Sequence, residues 1–95
     1  MKEVYFRVKG RVQGIGFRYW AVKKAQEIGD ISGWVHNAAD GSVEILALAD
    51  DNKIDEFILA CNKGPMLARV DKLEFIVGRR STFMPPIELG KFKRV

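Results

Sequence analysis

The spacing of apolar residues changes period along this chain, and the order of the changes leaves few folds open. Val4, Phe6 and Val8 recur every second residue over segment 4–9, the period of a strand with one buried face. A glycine-rich loop, 10–16, follows. Phe17, Ala21, Ala25 and Ile28 then recur at helical spacing, with Lys23, Lys24 and Glu27 on the other face and Gly29 as a stop.

Residues 31–37 return to a strand, and Asp40-Gly41 is a hairpin signal leading into 42–48. Asp50 or Asp51 can cap a second helix, whose buried stripe is Ile54, Phe57, Ile58 and Cys61 and which Gly64-Pro65 ends. Residues 69–77 read as a fourth strand, with Leu73, Phe75 and Val77 on one face. Beyond Pro85-Pro86, residues 88–94 are expected to add a short edge segment. The order is β-α-β-β-α-β, the split βαβ or ferredoxin-like α+β plan: an antiparallel sheet with two helices on one face. With 95 residues the chain is expected to be a single domain over 1–95. This plan hosts enzymes, RNA binders and metal chaperones, so function has to come from a site.

Residue usage removes several kinds of site. Cys61 is the only cysteine, which excludes an internal disulfide and a Cys-x-x-Cys centre; its place on a helix stripe marks it as core. His36 is the only histidine, and the 12 acidic residues are scattered, so neither a metal nor another cofactor is expected. No apolar run approaches the roughly 20 residues of a membrane span, and Arg7 interrupts any secretion-signal core. The expectation is a cytoplasmic monomer with no membrane partner. A net charge of +4 suits an anionic small molecule or nucleic acid equally and decides nothing alone.

The informative stretch is Gly10-Arg11-Val12-Gln13-Gly14-Ile15-Gly16-Phe17-Arg18. It joins a strand to the start of a helix, where backbone N–H groups lack partners and the helix dipole favours an anion. Gly14 and Gly16 can take left-handed conformations, so successive N–H groups can converge into a nest. Arg18, in the first turn, can close that nest with a planar fork suited to phosphate. The bland alternative is a glycine turn with a surface arginine, which spacing alone does not reject. A dinucleotide fingerprint is not matched, because Tyr19 stands where its third glycine belongs.

Residues 10–18 resemble the signature loop of the acylphosphatases, Gly-Arg-Val-Gln-Gly-Val-Gly-Phe-Arg, with Ile15 for its second valine. Gly33-Trp34-Val35-His36-Asn37, followed by Asp40-Gly41-Ser42-Val43-Glu44, is similar to a second family segment. Gly64-Pro65-Met66-Leu67-Ala68-Arg69-Val70 is similar to a third, and the three occur in order. The resemblance implies metal-free hydrolysis of the carboxyl-phosphate bond of acyl phosphates. It implies that the amides of Gln13, Gly14, Ile15, Gly16 and Phe17, with Arg18, hold the phosphoryl group. It further implies that Asn37 positions the attacking water. Inorganic phosphate or sulfate is expected to inhibit by occupying the nest of residues 10–16. Asp30 departs from the family pattern as a one-residue insertion that is expected to disturb the start of the second strand.

That chemistry suits these residues. The leaving carboxylate has a conjugate acid of pKa roughly 4, so no general acid is required. Phosphoryl transfer depends mainly on positioning and electrostatics, which a nest, an arginine and an amide can supply. Asn37 alone reads as a strand-end residue; Tyr19 and Trp20 read as helix-surface packing before acyl contacts. Arg79, Arg80, Lys91, Lys93 and Arg94 read as solvated charge before a binding role. An RNA-recognition domain shares the element order, but its stacking aromatics lie on the third strand, and 42–48 holds none, so nucleic acid is not an expected partner. A non-catalytic module, like the related domain of hydrogenase maturation proteins, is disfavoured by the absence of zinc-finger cysteines before Val95.

Overall fold

A computed structural model describes residues 1–77 and 85–95. Seven elements follow the expected order: β1 (Lys2–Arg11), α1 (Phe17–Ile28), β2 (Ser32–Asn37), β3 (Val43–Ala49), α2 (Asp51–Lys63), β4 (Arg69–Phe75) and β5 (Phe92–Arg94). They form one five-stranded sheet in the order β4-β1-β3-β2-β5, the ferredoxin-like α+β arrangement with an added edge strand.

The two-residue period places the core. Val4, Phe6 and Val8 of β1, Val35 of β2, and Val43, Ile45, Ala47 and Ala49 of β3 face the helices. Phe17, Ala21 and Ala25 of α1 and Ile54, Phe57 and Cys61 of α2 bury their stripes against them. Ile58, at the margin of its stripe, is half-buried. Trp34 is fully buried on the opposite face, where its Nε1–H donates to the Pro85 carbonyl at 2.9 Å and Tyr5 meets it edge-on at 6.1 Å. Gly33 is required beside it: a Cβ there would collide with the Leu46 carbonyl of the adjacent strand.

Three expectations change. The sheet is mixed rather than wholly antiparallel, because β5 pairs in parallel with β2. Antiparallel pairing was the expectation from four strands joined by the split βαβ plan. β5 takes the free edge of β2, opposite β4, and runs in the same direction as β2 and β1. Second, β4 ends at Phe75 rather than Val77, and Val77 is 90% exposed, having no face to bury. Third, Asp30 leaves β2 undisturbed. It sits in a left-handed turn at φ 57°, its carboxylate 3.0 Å from Lys53 Nζ, and β2 keeps an unbroken register with β3 from Ser32 to Asn37. Aspartate tolerates this backbone region better than most residues. Arg79 and Arg80 lie outside the described residues.

Candidate active site

The loop between β1 and α1 leaves its strand at Arg11 and is held at both ends. Val12 and Phe17 are buried in the core, and Ile15 packs against it. Between these anchors Gly14 and Gly16 take φ of 77° and 82°. At neither position would a Cβ meet another atom within 4 Å, so backbone conformation, rather than space, calls for glycine. Gly16 is itself the N-cap of α1, with no side-chain cap bond and no acidic residue in the first turn. The amides that open the helix therefore face outward with the positive end of the dipole and no carboxylate beside them.

Around this helix start lies a small pocket of about 110 Å³, lined by Val12, Gly14, Gly16, Phe17, Arg18, Tyr19, Asn37 and Arg94. Arg18 is half-buried at its wall. Asn37 reaches it because β2 alternates: Val35 faces the helices, so Asn37, two residues on, shares that face beyond the end of the core. His36 points the other way, edge-on to Trp34 at 6.4 Å, and takes no part in the pocket. Two larger clefts, of about 450 and 570 Å³, lie away from the glycine loop and share none of its residues, and a third, of about 290 Å³, reaches it only at Gly10. Size ranks them above the small pocket; the convergence of amides, a guanidinium and a carboxamide favours the small one.

The residues singled out from the sequence divide in two. Gly14, Gly16, Phe17, Arg18 and Asn37 line the pocket together, although Asn37 is far from the loop in sequence. Gln13 and Ile15 do not line the pocket, and their side chains are engaged elsewhere. The Gln13 amide donates to the carbonyls of Ala38 at 2.8 Å and Ser42 at 2.9 Å, tying the loop to the β2–β3 turn. Asp40 braces that turn, accepting from the Ser42 backbone N–H at 2.9 Å and hydroxyl at 2.6 Å. The Ser42 hydroxyl and amide, with smaller help from Arg7 and Lys9, hold the Asp40 carboxyl below its ordinary value.

Arg94 is the residue that sequence reasoning set aside. Its signal was present: it stands two positions after Phe92, an apolar residue at strand period, so both share a face once β5 joins the sheet. Tyr19 lines the pocket mouth, 60% exposed, while Trp20 packs edge-on against Phe17 at 5.3 Å. Cys61 is buried and its thiol pushed well up by desolvation, so it offers no nucleophile. Among the described residues no three His, Cys, Asp or Glu side chains converge on a metal position. β3 carries no aromatic side chain, so the sheet lacks an RNA-stacking platform on its third strand. No helix among the described residues is long and apolar enough to cross a membrane.

The sequence model of the family described as Acylphosphatase matches residues 4–85, from β1 to beyond β4. The chain belongs to the acylphosphatase family. It is 48% identical over 67 residues to the acylphosphatase of Nitrobacter winogradskyi, spanning 70% of this chain and 67% of that one. It is 42% identical over 88 residues to that of Acidiphilium cryptum, spanning 92% and 89%. Its fold superposes on the crystal structure of acylphosphatase from Bacillus subtilis with a TM-score of 0.82 at 33% identity, covering 100% of this chain and 99% of the other. As an acylphosphatase, the chain is an enzyme.

Proposed function

We propose that the small pocket binds the phosphoryl group of an acyl phosphate and that water, oriented by Asn37, attacks phosphorus in line with the departing carboxylate. The products are a carboxylate and inorganic phosphate. The observation that carries this reading is the meeting, in about 110 Å³, of a glycine nest at a helix N-terminus, Arg18 and Asn37.

The parts divide the work by their chemistry. The amides of residues 13–17 and the Arg18 fork take the charged phosphoryl oxygens, whose charge persists from ground state to transition state. The Asn37 carboxamide both accepts and donates, so it can hold a water without ionising. The leaving carboxylate is stable as an anion and needs no proton, and the phosphoryl group itself can take the proton of the attacking water. Binding of phosphate or sulfate in the same nest would compete with substrate.

The direct test is release of phosphate from acetyl phosphate with a metal chelator present. Turnover unaffected by chelation and inhibited competitively by phosphate is the expected result. Absence of turnover, or turnover lost on chelation and restored by Mg²⁺, overturns the mechanism.

A further inference from the structure

Three cations stand near the end of the chain, and the fold treats them differently. Lys91 and Lys93 both lie against the Glu88 carboxylate, at 3.8 Å and 2.6 Å. Among the described residues no carboxylate pairs with Arg94, nor with Arg18. Arg94 instead lines the same pocket as Arg18 and Asn37.

Arg94 is exposed, but its backbone position and the face it presents are set by the sheet and the core. Phe92 is buried, edge-on to Phe57 of α2 at 5.3 Å, which fixes β5 and the face it presents. The Gly33 N–H donates to the Lys91 carbonyl at 2.9 Å and the Val95 N–H to the Val35 carbonyl at 3.0 Å, bracketing the strand against β2. In this register Arg94 is paired with Val35, one strand across and two residues short of Asn37. The pleat then gives Val35, Asn37, Phe92 and Arg94 the same face. Gln13 anchors the loop on the β3 side of β2, so Arg94 enters from the opposite, edge-strand side.

We infer that Arg94 is a second substrate-binding cation, which with Arg18 makes the pocket selective for a doubly charged tetrahedral oxyanion. The inference rests on the pocket being the phosphoryl site proposed above. A volume of about 110 Å³ is of the order of one phosphoryl group with its attacking water. Arg94, exposed at the edge of this space and paired with no carboxylate among the described residues, is available to phosphoryl oxygens held there. Two planar guanidiniums on different walls can each take oxygens of a tetrahedral dianion, whereas a monoanion leaves one of them uncompensated.

Two measurements on Arg94→Gln, Arg94→Lys and Lys93→Gln test this: calorimetric titration with sulfate and steady-state kinetics with acetyl phosphate. Arg94→Gln should weaken sulfate binding about tenfold and lower kcat/KM for acetyl phosphate similarly, chiefly through KM, because a contact made equally before and during reaction acts on binding. Arg94→Lys should recover part of the loss. Lys93→Gln removes the same charge one residue away, outside the pocket, and should leave both measurements near wild type. Sulfate affinity unchanged in Arg94→Gln overturns the inference, and so does an equal loss in Lys93→Gln, which would make the effect one of net charge. A wild-type protein that binds sulfate but does not turn over acetyl phosphate defeats the proposed hydrolysis, while the sulfate titrations still decide the role of Arg94.

Discussion

Gln13 and Ser42 are joined across the site: the Gln13 side-chain amide donates to the Ser42 carbonyl at 2.9 Å, and the same nitrogen reaches the Ala38 carbonyl at 2.8 Å. Ala38 directly follows Asn37, so one side chain fixes the glycine loop relative to the residue proposed to hold water. Gln13→Glu keeps the size and removes the donor, setting a carboxylate against two carbonyls. It should cost about 1 to 3 kcal/mol of stability, seen as a lower midpoint in denaturant. It should also lower kcat more than it raises KM, because the amides still bind phosphate but no longer sit correctly relative to Asn37. A kcat equal to that of wild type would remove Gln13 from the positioning of the site.

Arg18 and Asn37 are expected to separate by role. Arg18→Ala should weaken phosphate binding and cut turnover about 10²-fold or more, as when a preorganised stabilising group is lost. Arg18→Lys should recover only part, since a point charge does not reproduce the fork. Asn37→Ala should leave phosphate inhibition nearly unchanged while lowering turnover on a similar scale. Phosphate titrations beside steady-state kinetics read both, and an Asn37→Ala protein that no longer binds phosphate contradicts the assignment of this residue to water.

Two glycines should fail in different ways. Gly16→Ala meets no atom but must hold φ near 82°, which costs about 1 to 2 kcal/mol and pulls the helix start out of line. Asparagine accepts that conformation more readily, so Gly16→Asn should keep more phosphate affinity than Gly16→Ala. Gly33→Ala places a Cβ against the Leu46 backbone inside the sheet and should prevent folding, whatever happens at the site. Circular dichroism with phosphate titration separates lost binding from lost fold. Equal phosphate affinity in Gly16→Ala and wild type would show that the nest does not depend on this conformation.

Acid should loosen the β2–β3 turn. The Asp40 carboxyl is held below its ordinary value of 3.8, first by the Ser42 hydroxyl and then by the Ser42 amide. A carboxyl whose value is lowered by folding stabilises the native state above its unfolded value, and that contribution is lost as pH falls through the folded value. Melting temperature should therefore decline below about pH 4, and Asp40→Asn should decline less steeply there. Glu74, lowered by Lys9 and Lys72, and Glu88, lowered chiefly by Lys93, retain acid sensitivity in both proteins. Identical slopes for the two proteins would mean that the Asp40 bonds to Ser42 are no stronger in the folded state than those it makes to water.

Periodicity by itself determined the order of elements and the core stripes of β1, α1 and α2, because which side chains avoid water depends on local repeats of two and 3.6 residues; it failed at the fourth strand, where Phe75 and Val77 are exposed. Gly14, Gly16 and Arg18 were legible for the same local reason: left-handed backbone and a helix start are properties of adjacent residues. Asn37 stood out only by family resemblance, since a strand-end asparagine has no local mark of function. Tertiary structure alone decided that Gln13 spans to Ser42, that β5 enters in parallel beside β2, and that Arg94 thereby joins Arg18 and Asn37 around one pocket. Those are register and edge relationships between segments distant in sequence, fixed by backbone hydrogen bonds across the sheet and by the burial of Phe92, and no local pattern of residues encodes them.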